Sequence, residues 1–466
     1  MNNSYLIPKE LCTRCGACVA ADSKGVLSKD SQGFPVHDSD DFEYIDGLLK
    51  VCSGEKWNYK ELLKQQYGED VNYDPRSPDI GQHLKIFLLS SSDQVWRDAG
   101  QSGGVTSTLL RYAFDIGKID SALAVRRPTA AEGNPFSSEP YIARSAEELQ
   151  DSFGSKYTIC SSLEAIRTLT KESNAFAATL LPCQTVGLKR LANDWDASLQ
   201  EKCKLIIGPY CGLNLEAEVG DAIADAAGVA TNEVFTFKNR GGRFPGKTTL
   251  EMKSGGAVYL DRTAHRILYR MYSPSRCYTC TDYGNELADV SVADCWEMNK
   301  EGFRFPDGAA YVICRTERGL AHVEEAIREG YLVSHDVDGA AAQKRWKASF
   351  YHRKVRGHNR IHYWKRHGKP VPKPDYEMPP VFKESRISDF IEIWSWRIFR
   401  SERLRKNGLR FWLWLARGKI GSFRNLVFED CKRYLFTHTY DQFNFRMYKH
   451  TVGNYLKWAK RLLTRK

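Results

Sequence analysis

The sequence predicts an α/β protein: a mixed, mostly parallel sheet with flanking helices, preceded by a small cysteine-marked cap and followed by a basic helical C-terminal extension. Three observations predict it. Short β-rich runs alternate with amphipathic stretches from about residue 84 to residue 335, the pattern of helices packed on a largely parallel sheet. Cys12, Cys15, Cys18 and Cys52 mark the first 80 residues, which are otherwise poor in long periodic segments. The net charge of +11 gathers at one end: Phe382 to Lys466 holds 20 Lys/Arg against 7 Asp/Glu, leaving about −2 for everything before it.

With 466 residues, 42% hydrophobic and 27% charged, the chain is globular and long enough for two or three domains with buried cores. No apolar run reaches the roughly 18 to 20 residues that cross a bilayer, and MNNSYLIPKE lacks a basic-then-apolar leader, so a cytoplasmic location is expected. The 13 cysteines include a CxxCxxC run and a CxxC pair. Such spacing fits metal or redox chemistry in a reducing compartment better than a disulfide framework.

In chain order, residues 1–80 form the cap, closed by the Pro/Gly/Asp-rich DVNYDPRSPDIG at 70–81. Residues 84–335 form the α/β domain, where runs such as LKIFLLSS, IDSALAVRR and CKLIIGPYC alternate with stretches such as VTSTLLRYAFDIG, LEAIRTLTKES and LAHVEEAIREG. TTLEMKSGGAVYLD reads as a hairpin around Ser-Gly-Gly, which makes the sheet mixed. Residues 336–381 read as a linker, extended through the proline-rich HGKPVPKPDYEMPP at 367–380. Residues 382–466 read as basic, aromatic helices, with SDF at 388–390 capping IEIWSWRIFRSERLRK.

CTRCGAC supplies Cys12, Cys15 and Cys18 from one tight loop, enough for three corners of a 4Fe-4S cube. Asp22 stands where a fourth cysteine would fit, so Cys52 in KVCSGE, the next cysteine along the chain, is expected to close the site. Four thiolates also suit tetrahedral zinc, although zinc more often takes two CxxC pairs. A second set lies in the α/β domain: Cys183 in LPCQ and Cys211 in GPYCG follow strands, and Cys277 and Cys280 form a CxxC loop. Ligands in open α/β sheets gather outside the carboxyl ends of strands, so these four can form a second thiolate site; Cys183 and Cys211 read equally well as ordinary buried cysteines. Cys160, Cys203, Cys295, Cys314 and Cys431 sit at apolar or isolated positions and read as core.

Three glycine-containing loops point to an anionic cofactor with a pyrophosphate. GQSGGVTSTLLRYA places a serine and paired glycines ahead of a helix, as either a phosphate cradle or a plain cap. FGSKYT adds Lys156 and Tyr157, and FKNRGGRFPGK adds Lys238, Arg240, Arg243 and Lys247. There is no Ser-His-Asp order and no HExxH motif, so hydrolysis is not the natural reading. Electron transfer is, with a flavin to link one-electron and two-electron chemistry; no catalytic side chain stands out.

The ordered set CTRCGAC, QSGGVTSTLL, GSKY, LPCQTVGLKRL, GPYCG, RGGRFPGK and CYTCTDYGNELADVSVADCW resembles the coenzyme F420 hydrogenase/dehydrogenase beta subunit family over roughly residues 10–335. The family also includes 7-hydroxymethyl chlorophyll a reductase and bacterial polysaccharide-locus members. The resemblance implies an FAD-binding α/β domain, a ferredoxin-like 4Fe-4S cap and a second 4Fe-4S site. It favours Cys183, Cys211, Cys277 and Cys280 as ligands, and Ser102, Gly103, Gly104, Thr106, Ser155, Lys156 and Tyr157 as FAD contacts, with Arg240 and Asp294 beside them. Many relatives carry a full CxxCxxCxxxC run and a second such run. Here Ala21 and Asp22 interrupt the first and Cys52 alone remains of the second, so one N-terminal cluster is expected. Cys295 stands at an alanine position of the family's Asp-Ala-Trp-like segment, after Ala293 and Asp294.

The expected function is an iron-sulfur flavoprotein oxidoreductase that passes electrons between two 4Fe-4S clusters and FAD. Its substrate would be a small organic molecule or a deazaflavin, its redox partner a protein such as ferredoxin, and homo-oligomerisation is compatible with the sequence. The rival reading is a non-catalytic iron-sulfur scaffold of a membrane-associated polysaccharide assembly. In the tail, FWLWLARGKIGSFR and YLKWAKRLLTRK interleave aromatics with cations, as in a helix peripheral to a membrane, a helix packed on the main domain, or a dimer contact. No nucleic-acid-binding module is recognisable.

Overall fold

The computed structural model describes residues 4–260, 271–299, 302–381, 401 and 403–405. The expected tail helices, the SDF cap and Cys431 lie outside the described residues, save those four positions.

An eight-stranded sheet organises the chain. Its order is Leu332–His335, Lys85–Ser91, Ala310–Cys314, Val290–Asp294, Cys203–Pro209, Phe176–Thr179, Ser121–Arg126 and Glu139–Ala143. Three of the pairings, from Val290–Asp294 through to Ser121–Arg126, are parallel and the others antiparallel. Five of the eight strands therefore run one way, so the sheet is mixed with a parallel centre. Alternation along the central strands divides two cores. Phe176, Ala178 and Ile206 face one, with Leu163, Ile166, Leu188 and Leu191. Ala177, Leu205 and Ile207 face the other, with Leu109, Leu110, Val312 and Val323. Both faces are covered by helices, which is why these strands read as nearly continuous apolar runs.

The hairpin expected around Ser-Gly-Gly forms, Lys247–Met252 against Ala257–Leu260, but in a separate antiparallel sheet with Val234–Gly241. The helix Val219–Ala227 covers that sheet, its Val219 and Ile223 in one cluster with Phe237 and Leu250 of the strands. The central sheet is mixed for another reason: its antiparallel strands include Glu139–Ala143 and Leu332–His335, which sequence periodicity left unmarked.

The cap carries a three-stranded sheet of Ser4–Tyr5, Pro35–His37 and Leu27–Lys29, and three helices, Ala17–Ala21, Phe42–Leu49 and Tyr59–Tyr67. Most of its core is shared, since Ala17, Ala20, Leu48 and Val51 pack into one cluster with Leu163, Ile166 and Leu188; a small cluster of Ile7, Leu11, Cys12 and Phe34 is its own.

The stretch 336–381, expected as a linker, is instead built into the molecule. Gly339–Phe350 and Arg356–Arg366 are α-helices joined by a π-helical turn at Tyr351–Val355. Asp338 caps the first by accepting from the Ala340 and Ala341 amides. Trp346, Phe350, Ile361 and Trp364 recur at helical spacing and are buried; the neighbouring prolines drew attention away from that pattern. Even the proline-rich part docks: Lys373–Pro374 pairs with Lys56–Trp57, and Asp375 accepts from the Lys60 and Glu61 amides at 3.1 and 2.7 Å. Among the described residues, no helix is long and apolar enough to cross a membrane.

Candidate functional site

Cys12, Cys15 and Cys18 border one small internal space, and the structure brings Cys52 to the same place. The loop turns sharply at Arg14 and Gly16, with φ of 51° and 91°. Three polar groups point at sulfur: the Arg14 amide donates to Cys12 Sγ at 3.4 Å, the Gly54 amide to Cys52 Sγ at 3.4 Å, and Ser53 Oγ to Cys15 Sγ at 3.5 Å. Asp22 takes no part. It is 3% exposed, and its carboxylate accepts from the Leu27 amide at 2.7 Å and from Tyr44 Oη at 2.8 Å.

The second set converges at the carboxyl ends of the parallel strands. Cys183 lies in the first turn of the helix Pro182–Asp194, where Gln184 Oε1 accepts from the Leu181 amide at 2.8 Å. Gln184 Nε2 donates to Cys160 O at 2.9 Å and to Ser162 Oγ at 3.0 Å, which fixes the helix start. Cys211 follows the strand Cys203–Pro209, and its amide donates to Tyr283 O at 3.1 Å. Cys277 and Cys280 flank the end of the short helix Ser275–Tyr278. The loop beyond them is held by Asn285, whose Nδ2 donates to Leu180 O at 2.6 Å.

Burial pushes Cys12 up to about 12 and Cys277 up to about 11, and lifts Cys18, Cys183 and Cys211 well above the ordinary thiol range. Neighbouring thiols add to the effect within each set. Cys183 feels Cys15 as well as Cys211, Cys280 and Cys277, so the two sets adjoin. Cys160, Cys203 and Cys314 are also raised to about 12 by burial, yet their charged neighbours are not other cysteines. Among the described residues, no three His, Cys, Asp or Glu side chains close on a single point as the ligands of one metal ion would; the first set of thiols stands around a space.

One helix links the sets. Cys183, Gly187 and Arg190 form a single stripe on Pro182–Asp194. A side chain on Gly187 would meet Cys15 Sγ at 3.5 Å and Leu163 Cδ1 at 2.7 Å. Arg190, 4% exposed, donates to the carbonyls of Cys52 and Lys56. Arg276, from the CxxC loop, donates to Gly54 O at 3.1 Å. Sequence reasoning missed both arginines, although the seven-residue interval from Cys183 to Arg190 marks one helix face.

Beside the second set opens a cavity of about 1340 Å³, bordered by the glycine loops and by Cys211. Ser102, Gly104, Thr106, Ser155, Lys156, Tyr157, Arg240 and Asp294 all line it, and Gly103 lies within the same turn. Ser102, at φ 53°, donates to Asp294 Oδ1, and Arg240 Nη1 donates to Asp294 Oδ2 at 2.8 Å. Arg240 Nη2 is buried without a hydrogen-bond partner. Burial, with Arg127 beside it, pushes Lys156 down to about 7; its Nζ donates to the carbonyls of Ser152 and Phe153 at 2.5 and 2.7 Å. Lys238 pairs with Glu251 and Arg243 with Asp307, and neither lines the cavity.

Two profiles settle the ancestry of this arrangement. Coenzyme F420 hydrogenase/dehydrogenase, beta subunit N-term matches residues 86–167, and the corresponding C terminus profile matches 173–340. The chain belongs to this family. The beta subunit of coenzyme F420 hydrogenase from Methanothermobacter thermautotrophicus is 25% identical over 56% of this chain and 86% of its own length. One component of the F(420)H(2) dehydrogenase of Methanosarcina mazei is 24% identical over 67% of this chain and 82% of its own length. A coenzyme F420-dependent sulfite reductase of Methanocaldococcus jannaschii is 25% identical over 67% of this chain and 46% of its own. A chain of the F420-reducing [NiFe] hydrogenase complex from Methanosarcina barkeri shares the fold, with a TM-score of 0.51, 19% identity, and coverage of 66% of this chain and 100% of that one. The relatives are oxidoreductases. The glycine loops and the second cysteine set lie inside the matched regions; Cys12 to Cys52 and the helices after residue 340 lie outside.

Proposed function

We propose that the chain is an iron-sulfur flavoprotein oxidoreductase holding two 4Fe-4S clusters and FAD, and that it acts on a small organic molecule or a deazaflavin. The carrying observation is the arrangement itself. Two sets of four cysteines adjoin across one helix, and the second set opens onto a large cavity at the strand ends. When bound, the clusters would supply one-electron steps and the flavin the conversion to two-electron chemistry.

The residues present suit these groups. The amide and hydroxyl donors to Cys12, Cys15 and Cys52 in the first set are those that thiolates bound to iron require. Because burial holds the empty thiols protonated, loading iron releases protons and is favoured as pH rises. Around the cavity, Lys156 and the unpartnered Nη2 of Arg240 offer positive charge and a free donor to a pyrophosphate. Asp294 fixes Arg240 and the strained Ser102 in one network. The family includes subunits of larger enzymes, which supports a protein redox partner docking near the cap.

Anaerobic purification followed by iron, sulfide and flavin analysis tests the proposal. About eight irons, eight sulfides and one FAD per chain are expected. The Cys52→Ser variant should fall to about four irons and lose one of two paramagnetic signals on reduction. Zinc without flavin, or an unchanged signal in the variant, would overturn it.

A further inference from the structure

The helical pair that follows the family-matched region closes over the second cysteine set. Gly357, in the Arg356–Arg366 helix, packs close to the CxxC loop: a Cβ there would stand 3.0 Å from Thr281 Cγ2 and 3.1 Å from Cys280 O. Arg360, fully buried, donates through Nε to Tyr278 O at 2.6 Å and through both terminal nitrogens to His352 O at 3.2 Å. Lys354 donates to Glu286 Oε1 at 2.8 Å, with both side chains under 5% exposed. Two of the three cations that this segment turns inward are thus satisfied by the CxxC loop and its continuation.

Arg353 is the third. It lies in the π-helical turn Tyr351–Val355, whose extra backbone residue changes the direction in which side chains leave the helix; such turns recur at functional sites. Its Nη1 is buried and has no hydrogen-bond partner, and its Nη2 lies 3.8 Å from where a Cβ of Gly212 would stand, next to Cys211. The guanidinium therefore stands beside the backbone that carries Cys211 into the second set. A buried, unpaired N–H on a permanent cation is costly unless an acceptor fills its place. The second set, which Cys211 joins next to it and which becomes a net negative group when it holds a cluster, would supply that acceptor.

We infer that Arg353 is a positioning residue for the second cluster, donating from Nη1 toward its sulfurs and raising its reduction potential above the value it would have without the cation. The inference rests on the second cluster site proposed above. Positive charge and N–H donors beside a cluster stabilise its reduced, more negative form, so their loss lowers the potential. With Arg353 in place the second cluster accepts electrons more readily than it would without the cation, which favours their passage toward the cavity.

Redox titration monitored by electron paramagnetic resonance, on the full chain and on Arg353→Gln, Arg353→Met and Arg353→Lys, tests this. Arg353→Gln and Arg353→Met should lower the potential of one cluster, the glutamine variant less because it keeps a donor. Arg353→Lys should stay near the wild type. The signal assigned to the first cluster, identified by its loss in Cys52→Ser, should not move, and iron and flavin content should hold. Unchanged potentials in all three variants, or loss of the second cluster in all three including lysine, would overturn the role of Arg353 while leaving the second site intact in the wild type. A wild-type chain with only about four irons would instead remove the second site itself, and the inference with it.

Discussion

Lys156 shows how a single residue would tie the cavity to the proposed cofactor. Its ammonium is half-buried on the cavity wall, bonded to two carbonyls, and pushed down to about 7 by partial burial. A lysine whose folded value lies below its unfolded value of 10.5 destabilises the fold. That cost is full below about pH 7 and disappears as pH climbs toward 10.5. In flavin-free protein, Lys156→Met should therefore melt higher than the wild type at pH 7, and the gap should narrow by pH 10. The same variant should bind FAD more weakly, because the phosphate that would compensate the cation has lost its partner. An equal gap at both pH values, followed by calorimetry, would show that the ammonium is already neutralised by something else. Asp22 teaches the complementary lesson. It occupies a cysteine position in the motif, yet its bonds to Leu27 and Tyr44 assign it to the cap's framework.

At the scale of elements, the helix Pro182–Asp194 carries most of the argument, because one stripe of it touches both cysteine sets. Gly187→Leu should force Cys15 and Leu163 away and reduce iron to about four per chain, leaving the second cluster's signal in place. Retention of about eight irons would mean the cap tolerates a wider separation. Much of this helix was legible beforehand: LPCQ follows a strand, and the apolar pattern through Leu188 and Leu191 gives its period. The contact with Cys15 was not, since nothing local in VGLKRL shows that a loop 170 residues earlier packs against Gly187. The two helices at 339–366 were hidden for a different reason. Their apolar residues are spaced helically, but charged and small residues lie between them, and the prolines at 370, 372 and 374 suggested an extended chain. The edge strands Glu139–Ala143 and Leu332–His335 are short and half-exposed, which blunts alternation as a signal.

For the whole molecule, the proposed electron route would run from the cap through the central sheet to the cavity, with the helical pair packed against it. The cap shares its core with the sheet, Arg190 and Arg276 bind the Cys52 loop from the opposite side, and the helical pair seals the CxxC loop. The family's motifs locate the cavity and the second cysteine set. The first set and its seal are assembled from segments that no short motif connects. An anaerobic reductive titration with a low-potential donor, followed by absorbance and electron paramagnetic resonance, tests this route most directly. The expected result is about four electrons per chain, one for each cluster and two for the flavin, with flavin bleaching accompanied by two cluster signals. Uptake of about two electrons with no cluster signal, or a flavin that stays oxidised while the clusters reduce, would contradict it.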